Sequence, residues 1–70
     1  MAHVRAEMVA NVWKVLVAVG DTVADGDTLV ILESMKMEIP ILAEGAGTVR
    51  ELSVAEGDVV QEGDLIADIG

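Results

Sequence analysis

The sequence predicts an all-β domain of short strands, and three observations carry that prediction. First, the 53% apolar fraction is almost wholly aliphatic: it includes 12 Val, 5 Ile and 6 Leu against one aromatic residue, Trp13. Branching at Cβ fits a pleated surface and narrows χ1 in a helix. Second, the apolar runs are short and broken by Gly and Asp, which leaves no room for a helix of three turns. Third, the chain repeats itself. Gly20-Asp21-Thr22-Val23-Ala24-Asp25-Gly26-Asp27 matches Gly57-Asp58-Val59-Val60-Gln61-Glu62-Gly63-Asp64 at a shift of 37, with five of eight positions identical. The same shift aligns Ala6-Glu7 with Ala43-Glu44, Val12 with Val49, Val15 with Leu52 and Val17 with Val54. The most economical account is two β-subunits related by a pseudo-twofold axis around one shared core.

Taken in order, His3 to Met8 is read as a first strand and Val12 to Val19 as a second. Gly20 to Asp27 is turn-rich: Gly20 and Gly26 allow positive φ, and Asp is expected to bond its own backbone two residues on. Thr28 to Glu33 is a strand, because five of its six residues are β-branched or apolar. Met37 to Leu42 is the next, and Pro40 inside it cannot donate to a ladder, so it belongs on an edge, at a bulge or with its nitrogen facing solvent. Ala43 to Gly47 is a turn and Thr48 to Val54 a strand. A second turn-rich link, with Gly57 and Gly63, leads to the closing strand Leu65 to Ile69.

Within the repeat, Val12, Val15 and Val17, and equally Val49, Leu52 and Val54, are spaced three and then two. A spacing of three flips the face of a regular strand. The same slip in both halves predicts a β-bulge between Val12 and Val15 and another between Val49 and Leu52. On this pattern Lys14, Glu51 and Ser53 face outward beside buried Val15, Leu52 and Val54.

Seventy residues make one domain, 1–70, with repeat halves of about 4–35 and 38–69. A chain this short buries only about 60% of its unfolded surface, so its core is thin. With no cysteine, neither a disulfide nor a thiolate metal site supports it. A net charge of −9 argues against nucleic-acid binding, which needs clustered Lys and Arg. No apolar run reaches the length of a membrane span, so no membrane partner is expected. No basic stretch followed by an apolar core marks a signal peptide, which makes a cytoplasmic setting the expectation.

The chemistry converges on one residue. Lys36, one of only two lysines, lies between two strand-like runs and therefore at or beside a hairpin tip. In extended backbone, Met35 and Met37 would share one face and Lys36 would point to the other. Methionine is normally core filler, but a hairpin tip in a domain this small has little core to fill. Exposed methionines flanking an exposed lysine read as a recognition surface for a modifying enzyme. Other chemistry falls away. Counting from Asp21 as the first position of a calcium loop puts Val23 and Leu32 where ligands are needed. No Gly-Lys-Ser/Thr ends a glycine run, so there is no phosphate loop. His3 is alone near a terminus and reads as disordered rather than liganding. Ser34 and Ser53 have no nearby histidine in sequence, and Trp13 in its strand reads as packing rather than substrate-stacking.

Glu33-Ser34-Met35-Lys36-Met37-Glu38, set at the midpoint of the repeat, resembles the attachment loop of biotinyl domains, the biotin carboxyl carriers of biotin-dependent carboxylases. The resemblance runs from about Val4 to Ile69. It implies a flattened β-barrel or sandwich of two pseudo-twofold-related four-stranded antiparallel sheets, with the attachment lysine on a β-hairpin tip. It implies that Lys36 takes covalent biotin from a biotin protein ligase, which recognises the tip through Glu33, Met35 and Met37. It further implies a carrier rather than an enzyme, with biotin carboxylase and carboxyltransferase as partners in an acyl-CoA type of carboxylase and no metal. Gly20, Gly26, Gly57 and Gly63 would be structural turns. Three departures stand out. Glu7-Met8-Val9-Ala10 replaces the family's usual Pro-Met or Met-Pro-Gly run, Ser34 replaces the commoner Ala, and the short Gly20–Asp27 link leaves no room for the protruding thumb of some carriers. A lipoyl carrier, whose usual tip is Asp-Lys-Ala, and an unmodified interaction module of the same fold are the alternatives.

Overall fold

In the computed structural model, which describes residues 2–70, the two turn-rich links each contain a strand that the sequence pattern does not reveal. The eight strands are β1 (Ala2–Arg5), β2 (Ala10–Val15), β3 (Thr22–Val23), β4 (Thr28–Ser34), β5 (Met37–Leu42), β6 (Gly47–Leu52), β7 (Val59–Val60) and β8 (Leu65–Ile69). Met1, included in the domain expected from sequence, lies outside the described residues. Strands β3 and β7 are two residues long, too short to show a period. Expected boundaries shift elsewhere. The first strand stops at Arg5 rather than Met8, because the chain bends at Glu7 and Met8 after burying Ala6. The second starts at Ala10 and leaves the ladder after Val15, with Leu16 and Val19 exposed.

The strands form two antiparallel four-stranded sheets, β1-β8-β6-β3 and β5-β4-β2-β7. They do not close on each other, so of the expected barrel or sandwich the flattened sandwich is the form adopted. The shift of 37 exchanges the two sheets strand for strand, and the backbone hydrogen bonds obey it. Gly26 N–H donates to Ala43 O at 2.9 Å and Gly63 N–H to Ala6 O at 2.8 Å. Gly20 N–H donates to Val49 O and Gly57 N–H to Val12 O.

The four turns in the links share one construction. Gly20, Gly26, Gly57 and Gly63 have φ between 88° and 97°, the third-position geometry of a type II turn. The following Asp closes each turn by reaching backward. Asp21 Oδ2 accepts from Ala18 N–H at 2.9 Å, and Asp27, Asp58 and Asp64 accept equivalently from Ala24, Ala55 and Gln61. This differs from the expected bond two residues forward, because the glycine at the third position brings the aspartate over the turn's first N–H.

Both expected bulges are present. Val12 pairs with Leu32 and Lys14 with Ile31, leaving Trp13 as the extra residue. Val49 pairs with Ile69 and Glu51 with Asp68, leaving Arg50 as its counterpart. Pro40 lies on the edge strand β5, one of the places where a residue without an N–H is tolerated. The core is symmetric as well: Val12 and Val49, Val23 and Val60, Leu29 and Ile66, Val30 and Ala67, Leu32 and Ile69 are all buried. Val15, Leu52 and Val54, expected to be buried, are half-buried at the rim, because each lies where its strand runs out of the ladder.

Candidate functional site

The β4–β5 hairpin rises directly from the core. Leu29, Val30 and Leu32 anchor β4 inside, and β5 pairs with it without interruption from Ile31–Pro40 through Leu32–Ile39 and Glu33–Glu38 to Ser34–Met37. That register leaves Met35 and Lys36 as a two-residue loop. Their φ angles are 51° and 67°, the only positive values at non-glycine residues among those described. Two consecutive positive φ angles identify the type I′ loop that matches the twist of a hairpin, a loop usually made of Asn-Gly. Here both positions carry bulky side chains, and each such residue costs on the order of 1 kcal/mol. Lys36 is thus at the hairpin tip as expected, and the alternation that extended backbone would give does not hold there: the two-residue reversal overrides it, and Met35 and Met37 do not alternate with Lys36 along a strand.

The loop presents its side chains to solvent. Met35 is 92% exposed and Met37 64%, and Lys36 is exposed with no ion pair among the described residues. Glu33 and Glu38 face each other across the ladder just below the loop, a like-charge pair that works against the hairpin. Glu38 was not singled out by sequence reasoning, since only the register shows that it stands opposite Glu33. An open groove of about 570 Å³ lies elsewhere, between the edge strands β1 and β5, lined by His3, Arg5, Leu42 and Glu44 among others. Lys36 does not line it. The candidate site is a projecting lysine, not an enclosing pocket.

The residues set aside in sequence are also placed. Asp21 is engaged by Ala18 N–H, and among the described residues no group of three or more His, Asp or Glu side chains could hold a metal ion. Ser34 pairs with Met37 at the base of the loop, and Ser53 Oγ donates to Glu51 Oε2 at 3.4 Å. His3 is not disordered but part of β1, with Nε2 3.7 Å from Asp68 Oδ1. Trp13 is not packed inside. The bulge turns it outward, 41% exposed, with Lys14 Nζ 5.4 Å from the ring centroid.

This arrangement has known counterparts. The profile of a protein family that spans biotin and lipoyl domains, described as "Biotin-requiring enzyme", matches residues 2–69. The chain belongs to this biotin/lipoyl family. Among its relatives is a protein of Mycobacterium leprae named as a biotinylated protein TB7.3 homolog, 62% identical over 94% of this chain and 93% of the relative. Two solved carboxylases contain a similar part. The urea carboxylase of Kluyveromyces lactis superposes with a TM-score of 0.91 at 38% identity, over 99% of this chain and 6% of that protein. A single-chain, multi-domain long-chain acyl-CoA carboxylase superposes with a TM-score of 0.88 at 32% identity, over 94% of this chain and 7% of that protein. Within the family, the β4–β5 hairpin is where this chain projects its exposed lysine.

Proposed function

We propose that this chain is a biotin carboxyl carrier, acylated by biotin on Lys36. The observation that carries the reading is the Met35-Lys36 loop: an exposed lysine held on a strained two-residue reversal, with no ion pair among the described residues, on a member of the biotin/lipoyl family. The naming of the mycobacterial relative as biotinylated supports biotin over lipoate, and so do the two methionines that flank the lysine.

The residues fit the group. Biotin carries a carboxyl group, and a primary amine at an open tip forms an amide with it without needing a pocket. A lysine amine attacks only as its free base, so a ligase must first take up a proton from Nζ. The neutral Nζ then attacks the carbonyl carbon of the activated biotinyl group. The C–N bond forms, the bond from that carbon to the leaving oxygen breaks, and a second proton leaves the nitrogen. Glu33, Met35 and Met37 are the surface that the ligase meets. Once attached, biotin would supply a ureido nitrogen able to carry a carboxyl group between two active sites. The chain contributes a stiff platform and a tether that keeps the local concentration high at both sites. It is a carrier, with biotin carboxylase and carboxyltransferase as partners in the cytoplasm. We take the carboxylase to be of the acyl-CoA class, one of the two classes represented by the solved structures.

Intact mass after expression with a biotin protein ligase and biotin tests the reading. The wild type should gain one biotinyl group and Lys36→Arg none. A lipoyl adduct in place of biotin would overturn it. Capture of partners on the biotinylated chain from its host separates an acyl-CoA carboxylase from a urea carboxylase.

A further inference from the structure

The internal repeat gives every position on one outer face a counterpart on the other, and at one level the two faces diverge completely. On the sheet that carries the hairpin, Lys14 pairs with Ile31 and Ile31 with Pro40, beside the bulged Trp13. On the other sheet, the equivalents are Glu51 paired with Asp68, Asp68 paired with His3, and the bulged Arg50. One face is a row of polar and charged side chains. The other replaces three of those four with Trp13, Ile31 and Pro40. Trp13 and Pro40 are exposed and Ile31 half-buried, and Lys14 lies over the indole. Nothing in the symmetric core requires the difference, since Trp13 and Arg50 are both expelled by the same bulge.

The apolar stripe is continuous with the hairpin. Along β4, Ile31 and Glu33 alternate with buried Leu32 and so share the outer face, and Pro40 and Glu38 share it on β5. The order from stripe to tip is Trp13-Ile31-Pro40, then Glu33-Glu38, then Met35-Lys36-Met37. Three residues of strand separate Ile31 from Ser34, about 10 Å. A partner covering about 800 Å² would span all three levels. An exposed Trp within such an area is a common anchor, and the two carboxylates call for a basic rim on the partner.

We infer that this face is a docking surface for the enzyme that acylates Lys36, an enzyme presenting an apolar recess to Trp13 and basic side chains to Glu33 and Glu38. The inference rests on the acylation of Lys36 proposed above. That enzyme, rather than a later partner, is the occupant the geometry favours. It must bring Nζ itself into its active site and so must grip the protein beside the tip. Later partners meet the group at the end of its extended arm, farther from the sheet.

The test is steady-state acylation of the whole chain by a purified biotin protein ligase, comparing Trp13→Ala and Trp13→Arg with Arg50→Ala, the matched truncation on the opposite sheet. The expected result is a fall in kcat/KM of about tenfold or more for both Trp13 variants, carried by KM, with Arg50→Ala at the wild-type value. Melting temperature and amide spectra confirm that each variant is folded. Arginine already occupies the equivalent bulge at position 50, so Trp13→Arg keeps the comparison valid should the alanine variant unfold. Raising salt should raise KM for wild type more than for Glu38→Gln. Folded Trp13 variants with the kcat/KM of Arg50→Ala would overturn the docking surface and leave the carrier reading standing. A wild type that is never acylated would overturn the carrier reading, and the identity of the partner with it.

Discussion

Gly47 lies hard against Ile69: a Cβ built on Gly47 would stand 2.8 Å from Ile69 Cγ2. Its counterpart under the repeat is Ala10, a buried residue whose Cβ is accommodated. The difference lies in the partner strand. The counterpart of Ile69 is Leu32, and leucine has no methyl branching from Cβ. Gly47→Ala should therefore destabilise the fold by about 1–3 kcal/mol through overpacking. Ile69→Leu removes the Cγ2 methyl and should recover part of that loss, so the double variant should be more stable than the sum of the two single changes predicts. Urea unfolding of the four chains checks this. Simple additivity would show that the carbonyl of Gly70, 2.9 Å from the same Cβ position, sets the limit instead.

Core and rim positions should separate cleanly. Leu29 is fully buried, and Leu29→Ala should cost about 2–5 kcal/mol, a large share of what a small domain has to lose. Leu52 is half-buried at the end of β6, so its truncation leaves a recess open to water rather than a closed cavity. Leu52→Ala should cost well under half as much in the same unfolding series. Equal losses would mean that the rim is as tightly packed as the centre.

Much of this was legible in the sequence, and the reasons are specific. The spacing Val12-Val15-Val17, repeated as Val49-Leu52-Val54, located both bulges, because a face change in a strand leaves a mark on the apolar pattern. Pro40, which lacks a donor, pointed to an edge, a bulge or a solvent-facing nitrogen, and it lies on an edge strand. The hairpin followed from two apolar runs on either side of Lys36. What was not legible depends on partners rather than on local pattern. Thr22–Val23 and Val59–Val60 become strands only because β6 and β2 lie alongside them. Trp13 is a large apolar residue in a strand, and only its position as the bulged residue sends it outward. His3 is ordered because β8 pairs with β1 and sets Asp68 opposite it. The left-handed backbone at Met35 and Lys36 is imposed by ladder register, against the preference of both residues.

That imposed backbone makes a prediction of its own. Asparagine tolerates positive φ far better than methionine. Met35→Asn should relieve loop strain and stabilise the domain by about 1 kcal/mol, which for a domain of this size raises Tm by roughly 4–8 °C. Met35→Val, branched at Cβ, should lower it. The same Met35→Asn chain should be a poorer substrate for acylation if Met35 is part of what the ligase meets. A gain in stability with a loss of acylation would show that the loop carries its strained residues for recognition, not for folding.

The Glu33–Glu38 pair separates folding from recognition in the same way, through salt. Two carboxylates directly opposed in a ladder repel each other, so neutralising one should help the hairpin. Glu38→Gln should melt higher than wild type at about 10 mM salt, where charges act over roughly 30 Å, and the advantage should vanish near 1 M, where they act over roughly 3 Å. The sign follows from charge alone, because glutamine keeps the length and shape of glutamate. Melting curves at both salt concentrations are the measurement. A Glu38→Gln chain that melts below wild type at low salt would mean that the two carboxylates are held together by an interaction other than their charge. If it melts above wild type there while associating more slowly with the ligase, the pair is kept against the interest of the fold, as a surface for a basic partner should be.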